Sequence, residues 1–253
     1  MDVKMNKKGQ ITIFIILGLI LVVGFALVFL LINPPEAKII DDKNPTAFIE
    51  TCTQEAVEEA IEIISRSGGD INPRGFLKYK DEDITYLCYT NNLYFPCTTQ
   101  RPLLIEHIES EITNHITPII ADCFFKLKEK TEKTHTVETS GINVITTLHT
   151  QSVAVKIDKK FKMTRKGESI DINTFRMRLV HPIYDLAKIA MEITNQESKY
   201  CNFDELGYMI LHPEYDITKF ITGNANIIYG VRDISTNQEF KFAIRSCRLP
   251  EGY

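Results

Sequence analysis

His107, Glu111 and His115 recur at intervals of four, a spacing that sets imidazole, carboxylate and imidazole along one stripe of a helix. Both groups are zinc ligands, so metal binding is the first chemistry to weigh. Residues eight apart lie about 12 Å apart along a helix axis, too far for one ion to join both histidines. The compact His-Glu-x-x-His spacing, in which two imidazoles and a base share one site, does not occur. A solvated helix face is therefore the expectation, with no metal and no cofactor. His181-Pro182 and His212-Pro213 read as junctions, since proline biases its neighbour away from the helix. There is no Gly-x-Ser-x-Gly elbow and no phosphate-binding glycine loop. Nothing in the sequence pairs a cysteine nucleophile with a base. No catalytic residue is expected. An enzyme whose site gathers residues distant in sequence is the remaining alternative.

Six cysteines, Cys52, Cys88, Cys97, Cys123, Cys201 and Cys247, all follow residue 32. An even count on an oxidising face points to disulfides, with fifteen connectivities open. The preferred bridges are Cys88–Cys97, closing a predicted hairpin, Cys52–Cys123, joining two helices, and Cys201–Cys247, joining the two ends of the C-terminal region. Free buried thiols are the competing reading. A zinc site is disfavoured by the lack of any Cys-x-x-Cys.

The location rests on residues 11–32, a run of 22 with no charge and one hydroxyl. As a helix it would measure about 33 Å, against a bilayer core of about 30 Å. Lys4, Lys7 and Lys8 precede it with only Asp2 against them, and lysine bias places that flank inside. The run is too long for a secretory signal and has no Ala-x-Ala site after it. The expectation is a cytoplasmic basic segment over 1–10, a transmembrane helix in the lipid bilayer over 11–32, a linker over 33–45 and an extracytoplasmic domain over 46–253. The protein would thus be a single-pass cell-membrane protein. A sub-boundary near 130 is the alternative to one large domain.

Lys8-Gly9-Gln10, followed by Thr12, resembles the class III signal of archaeal type IV pilin-like proteins. The resemblance covers about residues 7–32. It implies a prepilin-type peptidase as a partner, cutting between Gly9 and Gln10, and a mature helix that serves as anchor or filament core. Many pilins carry Glu at the fifth mature position, where it helps register subunits; this chain has Phe14. The expected function is a pilin-like structural, adhesive or interaction component of the cell envelope, with other pilin-like subunits or envelope proteins as partners. A non-polymerising assembly or ligand-binding module is the alternative that Phe14 favours.

The elements beyond the linker must position any site. The chain holds 29 basic and 33 acidic residues, of which three lysines and one aspartate precede residue 33, leaving a net charge near −6 outside that segment. A mildly acidic domain with no basic tract argues against a nucleic-acid partner. A 3.6-residue apolar period runs from Phe48 to Ile64 and predicts a helix over 46–67, capped by Asn44 or Thr46 and stopped by Gly68-Gly69. Helices are also predicted over 103–115, 117–128 (begun at Pro118), 182–196 and 203–208. Strands are predicted over 76–79, 84–89 and 93–95, then over 143–148, 152–157, 160–163 and 175–180. Three more follow over 216–221, 225–231 and 239–246. The fold class is α+β, with amphipathic helices packed on an antiparallel sheet.

Overall fold

The computed structural model describes residues 16–25 and 44–247. They belong to two separate units, divided between Ile40 and Asp41. In the first, residues 16–25 form a helix, α1. Ten residues of helix measure about 15 Å, half a bilayer core. Among the described residues no helix is long and apolar enough to cross a membrane. That corrects the transmembrane helix expected over 11–32, and with it the single-pass membrane location. The hydropathy of a run does not fix how much of it forms one straight helix. The other residues of that run, and the Gly9–Gln10 junction, lie outside the described residues.

The second unit begins with α2, Pro45–Ser67. The Asn44 side chain accepts from the Ala47 N–H at 3.1 Å, satisfying one of the donors that a helix start leaves orphaned. Ile49, Val57, Ala60, Ile61 and Ile64 form its buried stripe. Gly68 ends the helix at φ 74°, a left-handed conformation that costs a side chain dearly. A Cβ there would also stand 3.1 Å from the Thr85 carbonyl oxygen.

β1 (Phe76–Tyr79), β2 (Glu82–Tyr89) and β3 (Thr98–Thr99) follow. Next comes α3, Leu104–Thr131, one helix of 28 residues with Pro118 inside. The break expected at Pro118 is absent. Ile108, Ile112, Ile116 and Ile120 are all buried in one unbroken stripe, while Pro118 is exposed. The missing N–H thus lies on the solvent side, where a helix can bend away from its core. Burial of the stripe outweighs the lost bond. β4 (Thr136–Thr139), β5 (Asn143–His149), β6 (Ser152–Arg165) and β7 (Glu168–Val180) come next. They are followed by α4 (Ile183–Tyr200), α5 (Glu205–Leu211), β8 (Tyr215–Ile221), β9 (Asn226–Asp233) and β10 (Glu239–Arg245).

The strands make two sheets. In one, β6 pairs with β7 on one side and with β5 and β4 on the other, all antiparallel. The β6–β7 turn places Lys166 and Gly167 at φ 49° and 88°, the positive values that match the twist of a two-residue hairpin. The outer edge of β5 is covered by α3: Glu109 accepts from the Leu148 N–H at 2.8 Å and Thr113 from the Thr146 N–H at 3.2 Å. A helix thereby satisfies an edge strand that would otherwise be open to pairing.

The other sheet has the order β1-β2-β10-β9-β8, with β3 also on β2. It is mixed, not antiparallel as expected, because β2 and β10 run parallel with Tyr86 opposite Ala243. Strands so far apart in sequence leave no turn signal to reveal their pairing. α2 lies against α3, β10 and β7, and α4 against β10 and β9. The domain is α+β, with its core between these helices and the sheets. Phe203, Tyr229, Phe240 and Phe242 stack through one part of that core. Phe124, Phe161 and Phe175 fill another.

Candidate functional site

The six cysteines pair as Cys52–Cys123, Cys88–Cys97 and Cys201–Cys247. Their Cα separations are 6.6, 5.4 and 5.5 Å, within the span a disulfide bridges. No cysteine among the described residues is free, so the thiol readings give way. Cys52–Cys123 ties α2 to α3, and Cys88–Cys97 closes the loop from β2 to β3. Cys201, at the left-handed cap of α4, is joined to the end of β10.

The three residues spaced by four on α3 have three different surroundings. His107 bonds through Nε2 to Asp70. Glu111 accepts from the Ile71 N–H at 2.8 Å. The His115 Nε2 is buried without a protein partner. Among the described residues no cluster of three or more His, Cys, Asp or Glu side chains is placed to hold a metal ion. His181 Nδ1 accepts from the Ile183 N–H at 3.1 Å and so starts α4. His212 closes α5. These two junction histidines serve helix ends.

Asp70 is the hub that sequence reading missed. It follows the two glycines after α2 and is almost fully buried. Its carboxylate accepts from the Thr85 hydroxyl at 2.8 Å and from Arg101 Nη2 at 3.1 Å, besides bonding His107. The Ser67 hydroxyl donates to its carbonyl oxygen. Burial pushes the carboxyl pKa up, but the bonds from His107, Thr85 and Arg101 together hold it below its ordinary value. Both oxygens are engaged, so the group locks the α2 corner to β2 and α3. A pair of glycines followed by Asp was the local signal, but its partners come from positions 85, 101 and 107.

Glu197 on α4 is a second buried carboxyl. One oxygen accepts from the Tyr229 hydroxyl at 2.5 Å, while the other has no protein partner. Lys219 Nζ stands 3.9 Å away. Burial raises the Glu197 pKa, against the pull of Tyr229 and Lys219.

A cavity of about 430 Å³ opens beside the second half of α2, against β10 and the start of α4. A second, about 310 Å³, lies between α2 and the β1–β2 hairpin, and the two share Glu62 and Arg66 as a common rim. Glu58 and Glu239 face the first; Glu82 and Asp83 face the second. Among the described residues, the cations lining either are Arg66, 2.6 Å from Glu62, and Lys241, 3.2 Å from Glu82 and 3.9 Å from Glu239. His181 also lines the first cavity. Burial lowers its pKa, outweighing Gln238 and Glu58, which favours the neutral ring. Ser65 lines the same cavity, and its hydroxyl is buried without a protein partner. Asp83 Oδ1 is likewise buried and unpartnered. This pair of cavities can bind by charge and hydrogen bonding.

Comparison of the chain with protein-family models, with curated proteins and with solved structures found no match.

Proposed function

We propose that this chain is a pilin-like structural or interaction component, acting by contact and not by turnover. The observation that carries the reading is α1. Its eight large apolar side chains, from Ile16 to Phe25, are each 49–75% exposed. A helix apolar on every face needs cover from other apolar surface. Apolar helices of other subunits would supply it, as the resemblance around Gly9 and Gln10 implies. Support also comes from the polar groups of the second unit, which are largely engaged in holding one another. The mildly acidic surface favours protein partners over nucleic acid. The test is the size of the full-length chain by light scattering. Self-association is expected, with reversal by Leu21→Asp; a monomeric wild type would contradict it.

A second reading, a non-polymerising assembly or ligand-binding module, is favoured by the paired cavities beside α2 and by Phe14.

A further inference from the structure

One face of the sheet of β4 to β7 is buried and the other is open. Val155, Ile157 and Phe175 lie on the buried face, where Phe124 of α3 packs edge-on against Phe175. Strand alternation turns the residues between them to the other side. There Lys156 stands directly opposite Arg176, and Arg178 follows two residues along, opposite Ala154. All three cations are exposed. Ile145, opposite Lys156, and Val180, beyond Arg178, border them and are 45% and 78% exposed.

An antiparallel sheet often leaves one face to water, but two features set this face apart. Like charges directly opposite one another destabilise a strand pair, yet Lys156 and Arg176 keep that arrangement. Lys156 donates to Asp158 at 2.7 Å, and Arg178 Nε to the Ser152 hydroxyl at 3.1 Å. Among the described residues neither arginine stands in an ion pair. The second feature is regional. Residues 152–180 hold eight Lys or Arg against three Asp or Glu, in a chain of net charge −4.

The complementary surface is on the same chain. The exposed side of α2 carries Glu50, Glu55, Glu58, Glu59 and Glu62, with Arg66. Glu58, Glu59 and Glu62 span about 6 Å of helix axis. The three cations lie about 5 Å apart across the strands and about 7 Å apart along them, so the two patches match in size. We propose that the open sheet face docks α2 of a second copy of this chain, with Lys156, Arg176 and Arg178 receiving Glu58, Glu59 and Glu62. Two different patches make the contact heterologous, the kind that continues from copy to copy. Exposed ion pairs are individually weak, so the contact sets the register of copies that α1 gathers. The inference rests on the self-association proposed above.

The test is zero-length carbodiimide cross-linking of the full-length chain, mixed from equal amounts of ordinary and heavy-nitrogen-labelled copies, followed by peptide mass analysis. The reagent joins a lysine amine to a carboxylate in contact with it. The expected product links Lys156 to Glu58, Glu59 or Glu62, with one peptide of each isotope. Arg176→Glu together with Arg178→Glu is expected to lower its yield about tenfold, and added salt to lower it as well. Lys188→Glu with Lys199→Glu, the same charge change on exposed residues of α4, is expected to leave it unchanged. An equal fall in that control would mean diffuse attraction and overturns the proposal. So does a Lys156 cross-link confined to single copies or leading to other segments. Self-association without the mixed cross-link removes this contact and leaves the broader reading standing. A monomeric chain without it overturns both. A mixed cross-link undiminished by Leu21→Asp keeps the contact and removes α1 as the element that gathers the copies.

Discussion

Asp70 shows how one side chain fixes a corner of this protein. Replacing it strands Arg101 and Thr85 in a largely dry pocket, so Asp70→Asn is expected to cost about 2–3 kcal/mol at pH 7, measurable by urea unfolding. The pKa is depressed in the folded state, so the stabilisation is present above the unfolded value and is lost as pH falls through the folded one. The gap between wild type and variant is expected to shrink steadily below about pH 4. Glu197 behaves in the opposite sense. Its raised pKa favours the folded state below the unfolded value, and that contribution is lost as pH rises through the folded one. Glu197→Gln keeps an acceptor for Tyr229 and removes the buried charge. It is expected to stabilise the protein at pH 7, with the gain fading as pH falls below the ordinary glutamate range. A destabilised variant at pH 7 would show that Lys219 compensates the carboxylate fully.

Among the elements, those with both a period and a stop signal were legible. Asn44, the stripe from Ile49 to Ile64 and Gly68 mark α2 within a residue of its ends. Lys166-Gly167 marks the β6–β7 turn. α3 was misread as two helices because Pro118 is a local breaker, whereas its tolerance depends on which face it occupies. Pro118→Ala is expected to raise stability by about 1–3 kcal/mol, seen as a higher Tm. A lower Tm would show that the proline shapes a bend the core needs. β4 carries one apolar residue, Val137, and exists because β6 extends far enough to pair with it. Leu93–Phe95 read as strand by composition, but the paired residues are Thr98 and Thr99. The groove residues come from α2, the β1–β2 hairpin, α4's start and β10, so no spacing in the sequence could have gathered them. Disulfide effects are expected to rank by loop length. Removing Cys52–Cys123, with partners 71 residues apart, should cost about 4 kcal/mol. Removing Cys88–Cys97, with partners 9 apart, should cost about 2–3 kcal/mol. Urea unfolding of paired Ser variants checks the order, and a reversed order would place the difference in native-state packing.

At the scale of the whole molecule, an apolar helix is joined to a disulfide-bonded α+β domain with two acidic cavities along α2. The sequence pattern of residues 11–32 read as a membrane span; the described helix, over 16–25, is too short for that. What residues 16–25 retain is an exposed apolar surface that other helices can cover. The pilin-like account makes a definite demand on the N-terminus, at the Gly9–Gln10 junction. The intact mass of the native protein, taken before and after reduction and thiol alkylation, tests it most directly. The account predicts a chain beginning at Gln10, with six cysteines that accept alkylating reagent only after reduction. A chain beginning at Met1 would contradict the pilin-like reading.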